Sequence, residues 1–171
     1  KGPDRSSSGG CPNGGRHTFV AAARYPDDYD GYLAGAPGYQ LPKAAIANIF
    51  GARRYAQVAT NPADLSTGFT AAERATVAKA VLARCDALDG ANDGLVQDTE
   101  ACRAAFDLAR DVPSCGGTRD GSCLSPAQKT AIAPIFSGAL DSKGAPIYAS
   151  FPYESGLGAA GIAFWEFTAP L

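Results

Sequence analysis

The sequence predicts an α/β protein: a short α/β segment followed by a mostly helical segment that is stabilised by disulfides. A Gly-rich stretch, a helical pattern and a short apolar run follow one another within the first 40 residues, which is the order of an α/β unit. After Pro42, apolar residues recur at helical spacing in several segments. Four of the five cysteines bracket two short loops in this later part. We therefore expect two domains, residues 1–40 and 41–171.

The first segment begins with residues 1–16, which are rich in Gly, Ser and Pro. Residues 1–8 are expected to form an entry loop. Residues 17–25 predict a helix, and residues 29–36 predict a short buried strand. The serines at 6–8 are poorly suited to a strand in the core of a sheet. Gly14 and Gly15 are expected to allow close packing between helix and strand.

The second segment predicts four helices. Residues 43–59 are alanine-rich, with an apolar face expected to consist of Ile46, Ile49, Phe50 and Val58. Residues 70–84 begin with Thr70 and Glu73, the pattern of a capping box. Asp98 is expected to cap a helix over 99–108. Ser125, Pro126 and Gln128 begin a fourth helix, which Gly138 ends.

Composition and charge exclude several classes of function. The 171 residues carry a net charge of −2 and no basic patch, which argues against nucleic acid as a partner. No run of eighteen apolar residues predicts a membrane span. Five cysteines without a Cys-x-x-Cys spacing favour disulfides and a secreted or periplasmic location. Residues 1–8 do not have the pattern of a signal peptide, so we expect a fragment of a longer protein.

The segment between Cys85 and Cys102, the acidic loop, is the strongest candidate site. It contains two glycines and the carboxylates of Asp86, Asp89, Asp93 and Asp98. Carboxylates this close repel one another unless a cation neutralises them, and calcium accepts six to eight oxygen ligands. A disulfide between Cys85 and Cys102 would close the loop. The alternative is a solvated acidic turn, because Asp-Gly pairs are common in turns. Residues 115–123 are expected to form a second loop, closed by its own disulfide.

Three motifs in order give the sequence a family resemblance. They are GCPNGGRH at 10–17, RYPDDYDG at 24–31 and AGAP at 34–37. Together with the two cysteine-bracketed loops, they resemble the tannase and feruloyl esterase family of α/β-hydrolases. The resemblance implies that residues 1–40 are a fragment of the hydrolase core and that residues 41–171 are a calcium-stabilised lid domain. A full family member is about three times as long, so the remainder of the hydrolase domain is an expected partner.

The resemblance also implies a ligand set for the acidic loop. Asp86, Asp89 and Asp93 would bind Ca²⁺ through side chains, and Ala91 and Leu95 through backbone carbonyls. This spacing differs from that of the EF-hand. The calcium ion would be structural and would take no part in ester chemistry.

The same resemblance leaves the catalytic site incomplete. In the family, the residue after Cys11 is the catalytic serine on a sharp strand–helix turn, and here it is Pro12. Proline has no hydroxyl, and its ring fixes φ near −65°. The resemblance assigns the amide of Asn13 to the oxyanion hole. The family's Asp and His lie beyond residue 171, so no triad is expected in this chain. Cys11 is left unpaired, because its family partner also lies beyond residue 171.

Two further sets of residues each have a functional and a purely structural interpretation. His17, the only histidine, is more simply a packed or surface imidazole than a base. Trp165, with Phe164 and Phe167, either lines a pocket for an aromatic acyl group or belongs to the lid core.

The sequence therefore predicts a fragment or a degenerate member of a secreted carboxylic ester hydrolase of the type that it resembles. In the parent enzyme, serine acyl transfer to water would cleave small aromatic esters, and this chain alone would be inactive. The alternative is a calcium-stabilised binding domain without catalysis, a pseudoenzyme.

Overall fold

The computed structural model describes residues 3–159, and the chain divides into two compact units between Ala44 and Ala45. The first unit contains β1 (Ser7–Gly10), α1 (Asn13–Arg24) and β2 (Gly31–Ala34). The two strands are parallel, with Ser7 opposite Gly31 and Gly10 opposite Ala34. The predicted α/β unit is therefore present.

The expected entry loop over residues 1–8 is corrected at its end, because Ser7 and Ser8 belong to strand β1, which is only partly buried. The side chain of Ser8 is half-buried, and its Oγ lies 3.2 Å from Oγ1 of Thr18, which is buried on α1. The amide of Asp30 donates to the carbonyl of Ser6 at 2.9 Å. Serine has a low propensity for strands. Here hydrogen bonds satisfy the polar groups of these serines, which makes the strand possible.

The strand β2 is shorter and more exposed than predicted. Leu33 is 75% exposed, and the other β2 residues are half-buried. Within the first unit, α1 packs on both strands. The helix α1 begins four residues earlier than predicted, because Pro12 already has helical φ and ψ.

About half of the described residues of the second unit are helical, in line with the predicted helical segment. The predicted helix over 99–108 is two short helices, because Asp107 begins a new one by accepting a hydrogen bond from the amide of Arg110 at 2.8 Å. The helices are α2 (Leu41–Ala56, whose first turn contains the division between units), α3 (Ala71–Cys85), α4 (Thr99–Ala105), α5 (Leu108–Asp111) and α6 (Pro126–Ser137). Short 3₁₀ turns cover Leu65–Gly68, Asp86–Asp89 and Ser155–Gly158.

Capping boxes begin α3 and α6, as the sequence predicts. Thr70 Oγ1 accepts from the amide of Glu73 at 3.3 Å, and Glu73 Oε2 accepts from the amide of Thr70 at 2.8 Å. Ser125 and Gln128 make the same reciprocal pair at 3.2 and 2.8 Å. Each box satisfies two amides that the helix itself leaves without partners.

The core of the second unit uses a different face of α2 from the predicted one. Ala47, Gly51 and Tyr55 are buried, whereas Ile46 and Ile49 are about half exposed. The predicted Phe50 and Val58 are partly buried against the core, whose fully or nearly buried members are Tyr55, Phe69, Val77, Ala78, Val81, Cys85, Cys102, Phe106, Leu108, Val112, Leu124, Ile132, Ile135, Phe136 and Leu157.

Both predicted disulfides are present, Cys85–Cys102 and Cys115–Cys123, and Cys11 is a free, exposed thiol. Among residues 3–159, no helix has both the length and the apolar character needed to cross a bilayer. The aromatic residues Phe164, Trp165 and Phe167 lie outside the described range.

Candidate functional site

The turn between β1 and α1 carries the position where the family motif predicts a nucleophile. Pro12 has φ −78° and ψ −35°, and its carbonyl accepts from the amide of Arg16 at 3.0 Å. Pro12 therefore lies directly before the first turn of α1 in helical conformation, with the negative φ that its ring requires. The side chain is exposed and has no group that could attack a carbonyl.

Close packing between α1 and β2 fixes the geometry of this turn. A Cβ on Gly15 would lie 2.2 Å from the carbonyl oxygen of Gly35 and 2.9 Å from that of Gly10. The amide of Gly35 donates to the carbonyl of Gly10 at 2.9 Å, which joins the ends of the two strands. The expectation of close packing thus holds for Gly15. The backbone of Gly14 also lies close to the strand, since a Cβ on Gly10 would come within 2.6 Å of it, but a Cβ on Gly14 itself would have open space.

The other candidate residues at this turn are all solvent-exposed. Cys11 and Asn13 flank Pro12, and His17 lies one turn further along α1. Within the described residues, no hydrogen bond joins the Cys11 thiol to the His17 imidazole. The predicted residues are therefore neighbours at this turn, but they do not form a pair of nucleophile and base.

The acidic loop leaves the carboxyl end of α3 and returns to α4. Its first residues form the 3₁₀ turn Asp86–Asp89, and Gly90 follows with φ +92°. Gly94 has φ +82°, so the chain reverses at two positions that favour glycine. The Cα atoms of Cys85 and Cys102 are 5.0 Å apart, which closes the loop at its base.

Backbone amides within the loop point at its carboxylates. Asp86 Oδ1 accepts from the amides of Asp93 at 3.2 Å and Gly94 at 2.9 Å. Asp93 Oδ1 in turn accepts from the amide of Leu95 at 3.1 Å. These bonds hold the loop in a tight coil around its own acidic side chains.

Asp89 connects the two halves of the loop. Its Oδ1 accepts from the amide of Ala91 and its Oδ2 from the amide of Gln97, both at 3.0 Å. The amide of Ala91, followed by that of Gln97, lowers the pKa of Asp89 below its ordinary value. Asp98 has a different role, because its Oδ1 accepts from the amide of Ala101 at 2.9 Å and caps α4 as predicted.

The donor chemistry of the loop fits calcium. Every predicted ligand is a hard oxygen, and the carbonyls of Ala91 and Leu95 accept no hydrogen bond within the described residues. Across residues 3–159, however, no three His, Cys, Asp or Glu side chains lie close enough together to hold a metal ion. The calcium site therefore remains a prediction supported by donor type.

The burial of two charged side chains in the second unit was not predicted from the sequence. Glu73 is fully buried and forms an ion pair with Arg119, 2.7 Å between Arg119 Nη2 and Glu73 Oε2. Lys129 is 8% exposed, and its Nζ donates to the carbonyls of Ala109 and Val112 and to Oγ of Ser114. The capping pattern at Glu73 was the only local signal, and it did not indicate a distant cation.

The parallel βαβ unit with a glycine-rich strand–helix turn, followed by a disulfide-bonded helical unit, defines a chain of the α/β-hydrolase type. Its coordinates superpose on the crystal structure of feruloyl esterase B from Aspergillus oryzae with a TM-score of 0.75 and 26% identity, over 99% of this chain. The chain matches the family "Tannase and feruloyl esterase" over residues 1–169 and belongs to it.

Two curated relatives agree with this family. The chain is 38% identical over 167 residues to mono(2-hydroxyethyl) terephthalate hydrolase of Piscinibacter sakaiensis, a match covering 90% of this chain and 28% of the relative. It is 34% identical over 159 residues to a probable feruloyl esterase B-1 of Neosartorya fischeri, covering 87% and 29%. The Aspergillus oryzae structure is covered to 32%. The chain thus spans about a third or less of each relative's length.

Proposed function

We propose that this chain is a fragment or a degenerate member of a secreted carboxylic ester hydrolase, in a family whose active members cleave small aromatic esters. The chain alone has no esterase activity. Pro12 carries the proposed inactivity, because it lies between strand and helix where the family motif has the catalytic serine. The family and its relatives supply the reaction class, since the relatives are named for feruloyl esters and for a terephthalate monoester.

Inactivity of the isolated chain follows from what acyl transfer requires. A nucleophilic hydroxyl must lie beside a base that a third group orients. Pro12 offers no hydroxyl, and His17, the only imidazole in the sequence, lies exposed on α1. The acid and base would come from the remainder of the hydrolase domain.

The second unit would serve as the lid of that enzyme. Two disulfides and the helix caps stabilise this helical unit, and none of these features belongs to a catalytic site. A structural Ca²⁺ ion, bound by Asp86, Asp89, Asp93 and the carbonyls of Ala91 and Leu95, would neutralise the acidic loop. The ion would supply charge and cross-linking to the loop, and nothing to the reaction.

A chimera tests the function directly. The matching third of Aspergillus oryzae feruloyl esterase B is replaced by this chain, and hydrolysis of a feruloyl ester is measured. We expect no turnover with Pro12, turnover with Pro12→Ser, and none with Pro12→Ala. The alanine variant is the matched control, because it removes the ring without supplying a hydroxyl.

The same assay on the isolated chain has a different expected result. Neither the chain nor its Pro12→Ser variant should hydrolyse a nitrophenyl or feruloyl ester. Turnover by the isolated chain would refute the proposed inactivity, and an inactive but folded Pro12→Ser chimera would refute the assignment of position 12.

The second candidate is a pseudoenzyme that binds aromatic esters without cleaving them. Pro12 favours it, because the substitution removes catalysis while the helical unit retains its disulfides and core. Calorimetric titration of the isolated chain with ferulic acid methyl ester separates the two candidates. Binding without turnover supports the pseudoenzyme, and the absence of heat supports a fragment.

A further inference from the structure

The Cys115–Cys123 disulfide closes a loop, residues 115–123, that lies against the first two turns of α3. Thr76 Oγ1 on α3 donates to the carbonyl of Gly121 at 2.7 Å. Gly121 packs so closely on α3 that a Cβ there would lie 2.5 Å from the Cβ of Ala72. This disulfide loop also carries Arg119, which reaches into the helical unit.

Arg119 compensates a buried charge on α3. Glu73 is 0% exposed, and its two oxygens accept from Arg119 Nε and Nη2, both at 2.7 Å. Arg119 Nη2 also donates to the carbonyl of Gly68 at 3.1 Å, an oxygen that it shares with Nε2 of Gln128. Burial alone would raise the pKa of Glu73, but hydrogen bonds from Arg119, the Thr70 amide and Gln128 hold it below its ordinary value. Without Arg119, a buried carboxylate would lose its counter-charge.

The two disulfides differ in how easily a thiol can reach them. Cys85 and Cys102 are 1% and 0% exposed, in the centre of the core. Cys115 is half-buried and is followed by exposed residues 116–118. Exchange requires a thiolate to approach a sulfur atom. Cys123 is 8% exposed, so Cys115 is the sulfur on the open side of this disulfide. We therefore expect a reductant to attack Cys115 before the core opens, whereas attack on Cys85 or Cys102 requires the core to open.

We propose that the Cys115–Cys123 disulfide is a redox-sensitive switch that controls whether Arg119 stays paired with Glu73. The reductant is a dithiol. Its thiolate attacks Cys115 Sγ, the S–S bond breaks, and Cys123 leaves as a thiolate that takes up a proton. The second thiol of the reductant then displaces Cys115, which gives two cysteine thiols and the oxidised dithiol, a transfer of two electrons. The loop opens, Arg119 withdraws, and the first turns of α3 loosen while Cys85–Cys102 stays oxidised.

The order of reduction is tested on the full chain. The native protein is titrated with dithiothreitol, quenched with iodoacetamide, and mapped by peptide mass spectrometry. Cys11, exposed and free, is alkylated without reductant and serves as the internal standard. We expect Cys115 and Cys123 to become labelled while Cys85 and Cys102 remain protected. Simultaneous labelling of all four, or labelling of Cys85 and Cys102 first, overturns the proposal.

A double-mutant cycle tests the coupling to Arg119. In the oxidised protein, Arg119→Gln should lower Tm by about 10 °C, because it leaves Glu73 buried without a counter-charge. In the Cys115→Ser/Cys123→Ser background, the same change should have a much smaller effect on Tm. Arg110→Gln is the control, since the Arg110 side chain is 55% exposed and pairs with Asp111, and its effect should be the same in both backgrounds. Equal effects of Arg119→Gln in both backgrounds overturn the proposal.

Hydrogen exchange on the unmutated protein keeps the test decisive if a variant fails to fold. After reduction of Cys115–Cys123 alone, amides in the first turns of α3 should exchange faster, and amides around Cys102 should keep their protection. Unchanged exchange in α3 after selective reduction contradicts the proposal.

Discussion

Gly15 on α1 lies against the carbonyl of Gly35 at the end of β2, with no room for a side chain between them. A Cβ at position 15 would come within 2.2 Å of that oxygen, whereas one at Gly14 would meet nothing within 4 Å. The neighbouring glycines therefore differ in purpose. Gly15 permits the close approach of helix and strand, whereas a side chain at position 14 would meet only open space.

This contrast gives the first prediction. Gly15→Ala should destabilise the βαβ unit by about 1–3 kcal/mol, since the clash is with backbone. Gly14→Ala should stabilise it slightly, by up to about 1 kcal/mol, because alanine favours a helix over glycine. Hydrogen exchange of α1 amides measures both. Equal effects of the two substitutions would refute the assignment of the contact to Gly15.

Lys129 gives the second prediction. Its buried Nζ donates to Ala109 O at 2.9 Å, to Ser114 Oγ at 2.8 Å and to the carbonyl of Val112. Lys129→Met keeps the volume but leaves these oxygens without a donor, which should cost roughly 2 kcal/mol in free energy of unfolding. Lys79→Met, on the exposed face of α3, is the control and should cost little. Urea unfolding compares the two, and equal stability of both variants would contradict the role of Lys129.

Glu73 gives a prediction about acid. Its pKa in the folded protein is lowered from 4.5, so the ionised form contributes stability above that pH and loses it as the pH falls through the lower, folded value. At pH 7, Glu73→Gln should destabilise the helical unit by roughly 3 kcal/mol, because Arg119 loses its carboxylate. The gap between wild type and Glu73→Gln should narrow as the pH falls below 4.5.

Urea unfolding at neutral and acid pH measures that gap. Glu100→Gln, on the exposed surface of α4, is the control and should track the wild type at both. A gap that is constant with pH would show that the Glu73 carboxylate is not the group responsible.

The proposed calcium site gives a prediction about stability. Added Ca²⁺ should raise Tm and a chelator should lower it, because an ion that binds only the folded loop stabilises it by mass action. Asp86→Asn with Asp93→Asn should abolish the response. Asp98→Asn is the matched control, since asparagine also caps a helix and Asp98 is not in the ligand set.

Differential scanning fluorimetry with CaCl₂, MgCl₂ and EGTA carries out this comparison. A Tm that is indifferent to Ca²⁺ in the wild type would leave the loop as an acidic turn closed by its amide–carboxylate bonds. Loss of the response in Asp98→Asn would contradict the ligand set.

The sequence predicted those features whose causes lie within a few residues of each other. The capping boxes at Thr70 and Ser125 depend on side chains three positions apart, and the stop at Gly138 depends on the positive φ that glycine adopts. The disulfides close short loops, and the family resemblance predicted which cysteine would be unpaired. Local interactions of this kind can be predicted from the sequence without knowledge of the tertiary contacts.

The features that failed depend on neighbours distant in sequence. The buried face of α2 was misassigned, because Ile46 and Ile49 are more hydrophobic than Ala47 and Gly51 but face away from the core of their unit. The strand at Ser7 and Ser8 depends on Thr18 and on pairing with β2. The ion pair of Glu73 joins residues 46 positions apart, which no spacing rule encodes.

The Cys85–Cys102 disulfide would hold the protein together after proteolysis of the loop that it closes. A protease acting on the exposed peptide between these cysteines would produce two polypeptides, one ending in the loop and one beginning there. The disulfide would still join them covalently, and the helices on either side would still share one core. Such a nicked molecule would migrate as a single species on a denaturing gel without reductant and as two bands with it.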